Sequence, residues 1–230
     1  MKRLVFSVLG TLMFASAATA APVNIVTYAS VAGTGLVNFD ELAPNANFDG
    51  IVVSGGLSFA ERLVGQSLSF NGNFDVLGVT AASAALQLGD ANDNLSTSGG
   101  SLAGNGPLGY PNFDAIGEGA VAVLFQTAQF ELGFRTVGTN NGSARVMFWN
   151  AAGGLIDTIT LSNLGDALFG FRREGNVADI MAITLDNFDI GGIGFDDFKF
   201  AEQQAVPEPA SLILLGAGLA AGARRLRRKA

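Results

Sequence analysis

Phe130-Glu131-Leu132-Gly133-Phe134-Arg135 is the stretch that decides the fold. Phe130, Leu132 and Phe134 fall on one side of an extended backbone, and Glu131, Gly133 and Arg135 on the other. That period of two belongs to a half-buried strand. The pattern recurs downstream, where Val146 and Phe148 alternate with Arg145, Met147 and Trp149. Leu155, Ile159 and Leu161 share a face opposite Thr158 and Thr160. Further strands are expected over 23–29, 35–39, 57–60, 66–70, 74–80, 120–125, 167–173, 179–185 and 194–200. Turn signals separate them at Asn140-Asn141-Gly142, Ala152-Gly153-Gly154 and Gly191-Gly192. No window between the chain ends has the period of an amphipathic helix. Roughly ten to twelve short antiparallel strands make an all-β protein, a jelly-roll-type β-sandwich rather than a barrel.

Two features stand outside that rhythm. Residues 82–106 are rich in Ala, Gly, Ser, Asn and Leu without sustained alternation, and read as a long surface loop with one short strand at 85–88. Within it Asp90-x-Asn92-x-Asn94 opens like a calcium-binding EF-hand loop. Leu95 and Ser101 then stand where that loop needs Gly and Glu, so the motif fails. The tripeptide Asn-Phe-Asp occurs at Asn38, Asn47, Asn73, Asn112 and Asn187 with irregular spacing, which excludes a repeat architecture. A strand end explains it: Phe enters the core while Asn and Asp satisfy the adjoining turn. Calcium-binding corners are the sharper alternative.

Composition removes whole classes of chemistry. The 230 residues include no cysteine and no histidine. Disulfides, thiolate nucleophiles and catalytic triads built on His are therefore excluded. Between residues 21 and 205, 19 acidic side chains face six basic ones (Arg62, Arg135, Arg145, Arg172, Arg173 and Lys199), leaving about −13. A nucleic-acid partner would call for the opposite sign. Two carboxylates suffice for glycoside hydrolysis, but no pair is singled out by its surroundings. The sequence reads as non-catalytic.

The two ends carry addresses. Lys2 and Arg3, the apolar stretch 4–14, and Ala18 and Ala20 at the peptidase-read positions make residues 1–20 a signal peptide, with Ala21 the expected mature N-terminus. Residues 21–205 form the exported domain. At the other end Val206-Pro207-Glu208-Pro209 precedes an apolar run over 210–223 and the basic residues Arg224, Arg225, Arg227, Arg228 and Lys229. A 14-residue helix reaches only about 21 Å, short of the ~30 Å hydrocarbon core. The basic cluster would stay on the cytoplasmic side. Those three parts, in that order over 206–230, resemble the PEP-CTERM sorting signal of bacterial exported proteins. The resemblance implies an exosortase-type sorting enzyme as partner, a transient anchor in the inner membrane, and delivery to the cell surface or extracellular matrix.

The last strand, Ile193-Gly194-Phe195-Asp196-Asp197-Phe198-Lys199-Phe200, holds the candidate site. Strict alternation sets Phe195 and Asp197 opposite Phe198 and Phe200. A bulge at the Asp pair would bring all three rings to the core. With the early segment Asn38-Phe39-Asp40-Glu41-Leu42, this strand resembles jelly-roll domains of carbohydrate-binding type. That resemblance implies a structural Ca²⁺ shared by Asp40 or Glu41 with Asp196 or Asp197. Sugar binding relies on exposed aromatic rings, and Tyr110 and Trp149 are the candidates. The function expected is a structural or exopolysaccharide-associated role, with calcium-dependent carbohydrate binding as the alternative.

Overall fold

The computed structural model describes residues 21–82, 85–89, 95–107 and 116–201. The signal peptide expected over 1–20, the apolar helix expected in the 206–230 tail, and Tyr110 lie outside the described residues. Among those residues no helix is long and apolar enough to cross a membrane.

The described residues are all-β, and every strand pair among them is antiparallel. The strands run β1 (Val23–Val26), β2 (Gly35–Val37), β3 (Asn47–Phe48), β4 (Val52–Ser54), β5 (Leu57–Ala60), β6 (Leu68–Asn71), β7 (Phe74–Leu77), β8 (Leu95–Ser98) and β9 (Ser101–Asn105). They continue as β10 (Ile116–Gly119), β11 (Val121–Gln129), β12 (Glu131–Val137), β13 (Ser143–Trp149), β14 (Leu155–Ser162), β15 (Ala167–Arg173), β16 (Ile180–Phe188) and β17 (Gly194–Phe200). One sheet has the order β1-β15-β12-β17-β9-β8-β3, with β10 added on β9 and β2 on β17. The second runs β14-β13-β16-β11-β5-β4, and β6 and β7 form a separate hairpin.

The two sheets face one another across a phenylalanine core. Phe134 of β12 contacts Phe171, Phe195 and Phe198 at centroid distances of 5.3, 5.7 and 5.7 Å. Phe198 in turn meets Phe59 of the opposite sheet at 5.4 Å, and Phe148 meets Phe171 at 5.4 Å. Such aromatic pairs add about 0.5–1.5 kcal/mol each beyond the area they bury.

Strict alternation fails on β17 and the bulge holds. Arg135 pairs with Asp196 and Gly133 with Lys199, so β17 carries one extra residue. Asp197 takes that position at φ +49°. The phase shift buries Phe195, Phe198 and Phe200 together.

Each outer sheet face is roofed by its own chain. After β1, residues 27–33 cross the outside of the larger sheet before β2 joins β17. The crossing needs bare backbone beneath it. A Cβ on Gly133 would lie 2.7 Å from the Tyr28 ring, and one on Gly170 would lie 2.9 Å from the Thr27 carbonyl. Glu131, expected on a solvent face, is buried by this strap. It accepts hydrogen bonds from the Ala32 amide at 2.6 Å and Arg172 Nε at 2.8 Å. Outside the smaller sheet, residues 61–82 and 85–89 cover a second apolar cluster of Leu63, Leu77, Leu88, Met147, Trp149 and small alanines.

Other expectations are corrected. The segment 82–106 is not a loop throughout: β8 and β9 form a hairpin within the larger sheet. Buried Leu95 and Leu102 carry it into the core, although Gly, Ser and Thr around them mask the alternation. The short strand expected at 85–88 reduces to an isolated bridge between Leu63 and Leu88. β3, β4 and β10, of two to four residues each, leave too short a pattern to read.

Phe198 touches rings from both sheets, so its truncation tests the core. Phe198→Ala should cost about 3–5 kcal/mol, measured by denaturant unfolding, whereas Ile190→Ala at an exposed turn should leave the midpoint unchanged.

Candidate functional site

The β17 bulge sets the chemistry at the outer face of the larger sheet. Turning Asp197 into the left-handed region directs its amide onto the Asp196 carboxylate, at 2.7 Å. The same turn presents the Asp197 carbonyl to the strap, where the Tyr28 hydroxyl donates to it at 2.8 Å. Lys199, opposite Gly133 in register, places its ammonium 5.5 Å from the Tyr28 ring centroid. A half-buried aromatic ring, a cation and two adjacent carboxylates thus share one patch.

Charge in this patch is unevenly balanced. Burial raises the Asp196 carboxyl to about 6, and the Asp197 and Asp40 charges push the same way. The Asp197 amide and Arg135 oppose the shift without cancelling it. Tyr28 is raised to about 12, first by burial and then by Asp197 and Asp196. Arg135 also reaches Asp166 at 3.9 Å, an exposed pair of small energetic weight.

The structure brings some of the expected calcium residues together and separates another. Asp40 lies within electrostatic reach of Asp196, at a turn where Phe39 enters the core with φ +58°. Asn38 Nδ2 donates to Asp40 at 2.7 Å, the arrangement expected of an Asn-Phe-Asp strand end. Glu41 points elsewhere and accepts a hydrogen bond from the Ser54 hydroxyl on β4. Among the described residues no three carboxylates form a group that could hold a metal ion. Asp40, Asp196 and Asp197 supply oxygens of the kind calcium takes, but not a formed cage.

The strand-end reading also accounts for Asn187-Phe188-Asp189. The Asp189 carboxylate accepts from the amides of Asn140, Gly142 and Gly191 at 2.7, 2.7 and 2.8 Å, tying two turns together.

Trp149 is corrected. Its parity with Arg145 and Met147 does place it on the outer face of the smaller sheet, but that face is covered and the ring is 0% exposed. Its Nε1 donates to Thr184 Oγ1 at 3.0 Å inside the second cluster. Alternation tells which face a residue occupies and not whether another segment covers it. Tyr28 takes the place of the expected ring on the described surface. The sequence hid it, because 23–29 reads as one uninterrupted strand.

The comparisons with known proteins fall into two parts. Residues 205–229 match the family described as the PEP-CTERM protein-sorting motif. The chain is thus exported, marked for an exosortase and anchored in the membrane only transiently through this tail. No curated protein matches it in sequence. Two solved structures of CBM29-2 variants, from work on ligand recognition by family 29 carbohydrate binding modules, are similar at 14% identity. Their TM-scores are 0.37 and 0.36, over 75% of this chain and 95% and 96% of theirs.

The charge balance can be measured. Asp196 should titrate near 6 by carbon-detected NMR. Asp197→Asn removes a neighbouring negative charge and should lower that midpoint towards the ordinary carboxylate range. An upward movement would mean that Asp197 stabilises the charged form instead.

Proposed function

We propose that this is an exosortase-sorted, non-catalytic protein of the cell surface or extracellular matrix, whose jelly-roll-type sandwich has a structural or exopolysaccharide-associated role. The observation that carries the reading is the sorting motif at 205–229, which follows almost directly on the last strand. A domain so close to its sorting signal is the cargo that the signal delivers.

The distribution of carboxylates supports the non-catalytic part. One cleft of about 270 Å³ is lined by Gly55, Gly56, Gln126, Thr127, Gln129 and the end of β17. Another, of about 280 Å³, is lined chiefly by Ser98, Ser101 and a ring of glycines. Neither has an Asp or Glu in its wall. Of the three carboxyls pushed upward, Asp75 and Asp186 are buried under the cover on the smaller sheet, and Asp196 lies on the outer face of the larger sheet, in the wall of neither cleft. A carboxylate-based hydrolase needs the perturbed acid and the cleft in one place.

Mass spectrometry of the protein at its final location tests the sorting. The expected product lacks everything beyond the Pro-Glu-Pro region, and retention of Arg224–Lys229 would contradict it. In the same material no polysaccharide should be hydrolysed. Turnover abolished by changing one Asp or Glu to its amide would overturn the non-catalytic reading.

Calcium-dependent carbohydrate binding is the second reading, favoured by the Tyr28 ring beside Asp196, Asp197 and Lys199. A cation near Asp40 and the Asp pair would neutralise the charges that push Asp196 upward. A ligand that binds only the folded state adds about 2.7 kcal/mol at 100 times its dissociation constant. Thermal melts with calcium and with chelator should then differ, and Asp196→Asn should erase the difference. An unchanged midpoint removes calcium from the account.

A further inference from the structure

The cover on the smaller sheet is fastened by polar contacts around an apolar floor. Its floor is Ala120, Ala122, Met147, Trp149 and Ala182, and Leu63, Leu77 and Leu88 press on it from above. At the rim, Arg145 donates to the Leu77 carbonyl at 2.7 Å and pairs with Asp186 on its own sheet. The Leu77 amide donates to Asp186 at 3.3 Å, and the Ala120 amide to Asp75 at 3.4 Å. Gln66 reaches Thr184 at 3.4 Å, and the Leu86 amide reaches the Ala151 carbonyl at 3.2 Å.

Three carboxylates are buried in this seam: Glu61 directly after β5, Asp75 on β7 and Asp186 on β16. The positive charges facing them are Arg145 from β13 and Arg62, which pairs with Glu61 at 3.8 Å. Glu118 of β10 adds a further negative charge, held at 3.5 Å by Asn73. Arg145 is committed to Asp186. Asp75, 1% exposed, faces Glu61 and Asp186, while Arg62 and a long contact from the Ala120 amide favour its charged form.

We propose that the cover formed by residues 61–82 and 85–89 is a proton-operated lid, closed while Asp75 is protonated and lifted as Asp75 ionises, and that lifting uncovers the apolar face around Trp149. Burial first, and the Glu61 charge second, raise the Asp75 carboxyl from 3.8 to about 7. Asp186 is raised to about 6 by burial, against the pull of Arg145. The closed state thus binds a proton that the open state, with Asp75 in water, releases at any pH above its ordinary value. Closure is strongest near pH 4, weakens as pH rises to 7 and changes no further above it. Over that window one linked proton changes the opening equilibrium by about tenfold per pH unit.

The chain has no cysteine, so a single introduced thiol reports opening without background. Ala182→Cys lies under the lid, Ala144→Cys lies in the main core, and Ile190→Cys is exposed and calibrates the intrinsic thiol rate. The full chain, held in detergent, is labelled with a pyridyl disulfide reagent between pH 5 and 8. Normalised to position 190, labelling at 182 should exceed that at 144 at every pH. It should rise about tenfold per pH unit up to pH 7 and then level off. Asp75→Asn should flatten the dependence at 182. A flat profile at 182 in the parent background, equal rates at 182 and 144, or a slope that survives Asp75→Asn would each overturn the proposal. If Asp75→Asn does not fold, the comparison of 182 with 144 in the parent background still decides it.

Discussion

The extra residue at Asp197 on β17 is the constraint from which most of the structure follows. β17 hydrogen-bonds to β12 on one side and to β9 and β2 on the other, so its phase sets the phase of the larger sheet. Without the bulge, Phe195 and Phe198 would face opposite ways and the ring network linking Phe59, Phe134 and Phe198 could not close. With it, three rings enter the core and the Asp pair is left at the outer surface. A left-handed backbone at a non-glycine residue costs about 1–3 kcal/mol. The burial of phenylalanine rings and the hydrogen bonds made by the Asp196 carboxylate and the Asp197 carbonyl offset that strain. Core packing and candidate site are two faces of one local irregularity.

Both roofs obey the same logic by different chemistry. Over the larger sheet, Gly133 and Gly170 remove side chains so that the strap lies on bare backbone, and Glu131 collects the Ala32 amide and Arg172. Over the smaller sheet, alanines and Met147 leave a low apolar floor for leucines, while the polar rim carries carboxylates in excess of guanidiniums. The first roof is satisfied by a buried ion pair with matched charges. The second buries Glu61, Asp75 and Asp186 beside Arg62 and Arg145, and the proposed response to protons rests on Asp75. In a domain near −13 overall, that second seam draws on Arg62 and Arg145 for positive charge.

The larger elements were legible because they are long and half-buried. β15 and β17 fall at the residues where alternation and turn signals place them. The bulge was legible as an option, since three phenylalanines around an Asp pair suit one face better than two. The strap and lid were not, because tertiary covering leaves no period in the sequence: Tyr28 reads as strand and Trp149 as an exposed ring. β8 and β9 were missed because alanine, serine and glycine bury as well as leucine does but carry little hydropathy contrast. In the site, Asp40 lies within electrostatic reach of Asp196, and a calcium ion shared between them belongs to the second reading. Glu41, one residue away, has its own partner in Ser54, which only the position of β4 reveals.

The placement of the sorting motif gives the topology a physical consequence. Phe200 ends β17 in the core, and Gln129 holds Ala201 by accepting from its amide at 2.8 Å and donating to its carbonyl at 3.2 Å. Only residues 201–205 separate the strand from Val206, a reach of at most about 18 Å when extended. The last strand cannot be pulled out to lengthen that tether without extracting Phe198 and Phe200 from the core. The domain also cannot complete its larger sheet until β17 has entered between β12 and β9. Folding on the outside and presentation of the Pro-Glu-Pro segment are therefore coupled through a single strand. A domain that has closed its core therefore keeps its Gln129 end within about 18 Å of Val206.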